Sequence, residues 1–153
     1  MTWIKRGIFL AVILPFALAA PTPAADENSL RLPKSSFPLN YDITLTTQVH
    51  TGQRSFNGVV KIEIEISEET NVITLHNRQL QVQSVSLKDE GGNEVSVVPS
   101  DDKAKEFLII TSTSRTFKPA ERYTIEIKYL GLLQTGTSGF YRSSYRVGTV
   151  TRY

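Results

Sequence analysis

The sequence predicts an all-β protein in which antiparallel strands form a two-layer sandwich. Three observations predict it. The run FNGVVKIEIEI places Phe56, Gly58, Val60, Ile62, Ile64 and Ile66 on one face and Val59, Lys61, Glu63 and Glu65 on the other. A second run, YTIEIKYLG, sets Tyr123, Ile125, Ile127 and Tyr129 against Thr124, Glu126 and Lys128. A strand collects such alternating residues on one side, whereas a helix would scatter them around its axis. Third, no window gives an amphipathic helix, and sheets with one apolar face must bury it against another layer.

Taken in order, the chain opens with MTWIKRGIFLAVILPFALAA, where Lys5 and Arg6 precede an apolar run and Ala17 and Ala19 stand at minus three and minus one of a cut before Ala20. The run is shorter than the roughly 20 apolar residues a membrane span needs, so residues 1–19 are expected to be a secretory signal peptide and the product secreted or extracellular. A retained signal anchor is the alternative. Residues 20–40, rich in Pro, Ser, Asp and Asn, form an extended lead. A β domain over residues 41–153 follows. Its first strand is expected from Tyr41, with Tyr41, Ile43 and Leu45 covered on one side. After the turn at Gly52 comes the FNGVVKIEIEI strand, then short apolar runs at residues 72–76 and at Leu80, Val82, Val85 and Leu87. A Gly91-Gly92 turn follows, and residues 95–98 are expected to pair back across it. Pro99 begins an interruption, residues 107–111 form another strand, and the YTIEIKYLG strand gives way at Leu130 to a Gly- and Thr-rich connection. About seven strands result. Residues 140–153 show no cap or polar tail and read as an incomplete C-terminal end.

Composition narrows the function classes. The chain has 153 residues, 17 basic and 15 acidic, and no cysteine. Removing Lys5 and Arg6 with the signal leaves a neutral product without a basic stripe, which argues against a nucleic-acid partner. The absence of cysteine excludes disulfides, thiolate nucleophiles and Cys-based metal sites. No Asn-x-Ser/Thr acceptor is present.

The catalytic motifs are also missing. His50 and His76 are the only histidines, and no H-E-x-x-H occurs. There is no G-x-S-x-G elbow, and Gly131, Gly136 and Gly139 lack the Lys-Ser/Thr of a phosphate loop. Glu63 and Glu65 share one strand face about 7 Å apart, but beside Lys61 they read as a solvated surface, as do Glu68 and Glu69 in a turn. No catalytic residue and no metal ligand is assigned.

Five fragments taken together carry a family resemblance: Arg31-Leu32-Pro33 with Pro38 and Tyr41; Phe56-Asn57-Gly58-Val59-Val60; Ile73-Thr74-Leu75-His76-Asn77; Tyr129-Leu130-Gly131; and Gly139, Phe140, Tyr141, Arg142, Ser143, Ser144 and Tyr145. In order and spacing they resemble the N-terminal domain of the aminopeptidase N family of zinc metallopeptidases, and the secreted, cysteine-free lead is similar to the insect midgut branch. The resemblance implies a saddle-like β-sandwich that packs on a catalytic domain of the same or a related enzyme. It also implies a full-length enzyme that uses zinc to remove N-terminal residues from peptides, secreted or anchored at the cell surface. The family's zinc motif and its G-A-M-E-N segment do not occur here, so no cofactor is expected in this chain. Gln134 lies upstream of the Gly139 segment and does not match the family's amine-recognising glutamine. Only residues 139–145 lie where the family's cleft-side wall begins. The resemblance thus implies a non-catalytic domain of a truncated or fragmentary member; the alternative is a secreted, inactive binding or regulatory protein.

Overall fold

The computed structural model describes residues 30–136 and 139–153. The expected signal peptide and the lead as far as residue 29 lie outside the described residues. Ten strands follow one another: β1 (Ser36–Thr47), β2 (Ser55–Ile66), β3 (Val72–His76), β4 (Gln81–Asp89), β5 (Glu94–Val95), β6 (Val97–Asp102), β7 (Phe107–Ser112), β8 (Arg122–Leu132), β9 (Tyr145–Val147) and β10 (Val150–Arg152). Among the described residues there is no α-helix, and no helix is long and apolar enough to cross a membrane. The turn from β1 to β2 is a short 3-10 segment, Val49–Thr51, closed by Gly52 at φ +86°. That left-handed conformation suits glycine.

Antiparallel pairing builds a five-stranded sheet, β1-β2-β8-β4-β5, and a three-stranded sheet, β3-β7-β6, with β9 and β10 as a separate hairpin. The all-β sandwich expected from the alternation is therefore the observed architecture. Register lays the apolar residues in rows across the larger sheet. Tyr41, Ile62, Ile125, Leu87 and Val95 form one row, and Ile43, Val60, Ile127 and Val85 the next. The smaller sheet adds Ile73, Leu108 and Ile110, and these two inner faces make the core. The opposite face of the larger sheet is wet, with Arg122 donating to Glu65 at 2.9 Å and Lys61 and Lys128 flanking Glu126.

Two glycines let aromatic rings lie flat within this core. Gly58 stands opposite Tyr129, and Gly131 opposite Phe56. A methyl group at either position would fall inside the facing ring, so the missing side chain is the space the ring occupies. The two rings then meet edge to face with centroids 6.4 Å apart.

Several expectations need correction. Strand β1 starts at Ser36 rather than Tyr41, because Phe37 and Pro38 already pair with Glu65 and Ile64 before a bulge at residues 38–40. Residues 95–98 do not pair back as one strand: β5 stays on β4 while β6 crosses to the other sheet. Pro99 does not interrupt. It sits within β6, an edge strand, where a missing N–H is tolerated. The last long strand runs on through Leu132, and Leu133 is buried rather than part of a loose connection. Residues 145–152 pair as a hairpin across Gly148, at φ +60°. Finally, Tyr41, Ile43 and Leu45 are 52%, 57% and 43% exposed, so the inner face of β1 is not covered. The narrower sheet leaves the β1 flank open, whereas Val95 of β5 at the opposite edge is buried.

The far corner is closed by the turn from β7 to β8. Phe117 exchanges backbone hydrogen bonds with Thr70 and is fully buried against the Tyr123 ring. Glu121 holds this turn together: its carboxylate accepts from the Lys118 amide at 2.8 Å, the Tyr123 hydroxyl at 2.7 Å and Arg115 at 3.2 Å.

Candidate functional site

Among the described residues, two surfaces carry most of the large apolar side chains left exposed. The first is built by residues 139–145, the segment singled out from the sequence. Its backbone is tied down: the Gln134 amide donates to the Phe140 carbonyl at 3.0 Å, and the Arg142 amide donates to the Gln134 carbonyl at 3.2 Å. Phe140 packs edge-on against Phe56 with centroids 5.1 Å apart, which couples the segment to the core.

Arg142 fixes its far side. The guanidinium donates from Nη1 to the Gly52 carbonyl at 2.6 Å and lies 4.1 Å from the centre of the Tyr153 ring. A cation over an aromatic face is attracted by the ring's negative π cloud. One arginine thus joins the β1–β2 turn, the segment and the end of the described chain. Ser143 and Ser144 are exposed, and Tyr145 opens β9. The side chains that remain in water are large: Phe140, Tyr141, Tyr145, Val147, Val150 and Tyr153 are all exposed. Beside them lies a cleft of about 440 Å³ lined by Phe56, Gln79, Leu80, Gln134 and Phe140 among others. Gln134 does not point freely into it, since its side-chain amide donates to Gln79 at 3.0 Å.

The second surface is the flank of β1. Tyr41 and Ile43 on the larger sheet and Leu75, His76 and Leu108 on the smaller one border a slot of about 280 Å³, with Leu32 beside it. The slot exists because the inner face of the sheet continues past the edge of its cover. An exposed apolar strip of this kind marks a surface for association.

The two histidines stand on separate elements. His50 sits in the 3-10 turn and His76 ends β3, both exposed; the His76 ring packs on Phe107. Among the described residues no three His, Cys, Asp or Glu side chains converge as metal ligands. The donor set therefore does not fit a catalytic zinc ion, which needs three convergent protein ligands. Glu63 remains on the wet face, and Glu65 is paired with Arg122.

Burial raises the Tyr129 hydroxyl, whose ring is among those lining the slot, and the other groups with shifted proton affinity lie elsewhere. The Lys118 amide, then the Tyr123 hydroxyl, hold the Glu121 carboxyl below its ordinary range. Burial, then the hydrogen bond to Glu121, pushes the Tyr123 hydroxyl up to about 12. Shifted groups often mark active sites, but these partners already account for the corner as a structural clasp. Asp89 is likewise held low by the amide and side chain of Asn93 within a tight turn.

Comparison with known proteins places the chain. The family described as the Peptidase M1 N-terminal domain matches residues 37–153. The chain is 31% identical to endoplasmic reticulum aminopeptidase 1 of Homo sapiens over 121 residues, which is 78% of this chain and 13% of that protein. It is 30% identical to puromycin-sensitive aminopeptidase of Caenorhabditis elegans over 128 residues, covering 84% of this chain and 13% of that protein. Aminopeptidase N of Oryctolagus cuniculus is 26% identical over 157 residues, 94% of this chain and 16% of that protein. The chain thus spans 13% to 16% of the length of these relatives.

Proposed function

This chain belongs to the peptidase M1 N-terminal domain family, and from that premise we propose that it serves as the non-catalytic N-terminal domain of a zinc-dependent aminopeptidase that removes N-terminal residues from peptides. The observation that supports this reading most strongly is the pairing of a family match over residues 37–153 with a C-terminal end that is held in shape yet leaves its aromatic side chains in water. A surface organised by Arg142 and the Gln134 bridge, with Tyr141 and Tyr145 exposed beside Phe140, suits a docking face for a catalytic domain. Zinc and its ligands belong to that second domain. A zinc ion held by that second domain would supply polarisation of the peptide carbonyl and a lowered pKa of a water. The part of residues 139–145 is to shape one wall beside that chemistry.

The signal-like sequence of residues 1–19 supports delivery to the secretory route, with a full-length form secreted or held at the cell surface. N-terminal sequencing of secreted material should find a start between Ala20 and Asp26; intact Met1 in a membrane pellet would identify an anchor instead.

The functional proposal is tested by combining the chain with an M1 catalytic domain that lacks its own N-terminal domain. Association and chelator-sensitive hydrolysis of an aminoacyl amide are expected for the pair, with no turnover by the chain alone after dialysis against zinc. Stoichiometric zinc and turnover in the isolated chain, or no association with any such catalytic domain, would overturn it.

A further inference from the structure

Strand β1 is a free edge of the five-stranded sheet: β2 pairs with one side, and among the described residues no strand pairs with the other. A free edge presents a row of unpaired N–H and C=O groups, which folded chains guard with lysines, prolines, bulges or brevity. Here the guard is one-sided. Pro38 and the bulge occupy the start of β1. Beyond them residues 40–47 hold a single charge, Asp42, and no lysine. Of the other edges of the two sheets, β5 has two residues, β6 carries Pro99, Asp101 and Asp102, and β3, which lacks such guards, is only five residues long and leaves none of its large apolar side chains exposed. The unguarded stretch is also the one whose Tyr41, Ile43 and Leu45 are exposed.

We propose that residues 40–46 form a homotypic interface, pairing antiparallel with a second copy of this chain so that two five-stranded sheets become one. The side-chain pattern fits a copy of itself in a definite register. With the two-fold axis normal to the sheet, opposed residues share a face, so the axis must pass through one residue rather than between two. Centring on Asp42 sets two carboxylates against each other, which is unfavourable. Centring on Thr44 leaves Tyr41 facing a threonine. Centring on Ile43 brings Ile43 against its own copy and Tyr41 against the partner's Leu45. It also sets Asp42 against the partner's Thr44, and Asn40 against the partner's Thr46. Every apolar side chain then meets an apolar one, and each opposed polar pair can hydrogen-bond without like charges. The apolar rows of the two inner faces become continuous, and the interface uses none of residues 139–153.

The absence of cysteine makes the register directly testable. Facing residues of an antiparallel pair have Cα atoms about 4.5 to 5.5 Å apart, a separation that a disulfide spans. Ile43→Cys should therefore oxidise readily to a covalent dimer, whereas Leu45→Cys alone should not, its copies lying about 13 Å apart along the strands. A mixture of Tyr41→Cys and Leu45→Cys chains should cross-link. Sedimentation of the unmodified chain between about 1 and 100 µM should show a monomer–dimer equilibrium that Ile43→Lys weakens at least about tenfold. Because Ile43 is exposed, that variant should unfold at the same temperature as the parent when both are dilute. A monomer throughout that range, or cross-linking that is equally fast at positions 41, 43 and 45, would overturn the proposal. So would a dimer that survives Ile43→Lys but is lost in a Phe140→Ser, Tyr145→Ser variant, which would assign association to the C-terminal end. Binding to a catalytic domain is read separately and is expected to survive Ile43→Lys.

Discussion

Strands β1 and β2 lie side by side in one sheet and send the same kind of residue to the same side. Yet Ile62 and Ile64 of β2 are shut from water while Tyr41 and Ile43 of β1 are more than half exposed. The difference does not come from the strands. It comes from the cover: β3, β7 and β6 roof β2, β8 and β4, and the roof ends before β1. Alternation in a sequence specifies which residues share a face; whether that face is buried depends on the width of the opposing layer. The closed half completes itself within the chain, and the open flank is left for something else.

The largest effect should come from breaking the closed half. Ile64→Ala removes a side chain that is 2% exposed, and about 2 to 5 kcal/mol of unfolding free energy should go with it. On the same strand Glu63→Ala, on the wet face, should stay within about 0.5 kcal/mol. Urea unfolding of both variants checks the assignment of faces; equal costs would break it.

A somewhat smaller loss is expected at the glycines. Gly131→Ala places a methyl group inside the Phe56 ring, and overpacking of this kind costs about 1 to 3 kcal/mol. Shrinking the ring with Phe56→Leu in the same chain should recover part of that loss. If the double variant is no better than the sum of the singles, the ring is not what the glycine accommodates.

The Glu121 clasp sharpens the comparison from the electrostatic side. Glu121 has a folded pKa below its ordinary 4.5, so the stability it adds is present above that value and is lost as pH falls below it. Tyr123 behaves in the opposite sense. Its folded pKa of about 12 lies above the ordinary 10, so its contribution is intact below pH 10 and disappears as pH rises toward 12. Glu121→Gln should cost about 1 kcal/mol near neutrality and flatten the acid limb of a stability–pH profile. An unchanged acid limb would remove Glu121 from the account.

Much of this was legible in the residues, and the gaps have physical causes. Strands β2 and β8 follow from strict alternation, and the core residues read from them are buried apart from Val60, which is partly covered. Phe117 was not legible because a lone aromatic in a Pro-containing turn has no period to reveal it. Strand β4 gave a clue in the slip from Val82 to Val85, where a bulge at residues 82–84 shifts the register. Val147-Gly148-Thr149-Val150 carried a hairpin signal, a two-residue loop with glycine first. The exposure of β1 is different in kind, since its pattern matches that of a covered strand. For the site, the Gly139 segment was legible as a motif, but the clamp of Arg142 on Gly52 and Tyr153 joins distant parts of the chain and could not be read from spacing.

The smallest expected effect belongs to the open flank, and it supplies the most direct test of the central claim. Ile43 and Ile127 are the same residue in the same row, both paired across to Val60, and they are 57% and 6% exposed. Their alanine variants should be compared by urea unfolding at about 1 µM, where association does not contribute. The account predicts a loss of about 2 to 5 kcal/mol for Ile127→Ala and no more than about 0.5 kcal/mol for Ile43→Ala. Equal losses at that concentration would show that β1 is covered within the single chain, and would contradict the division into a closed half and an open flank.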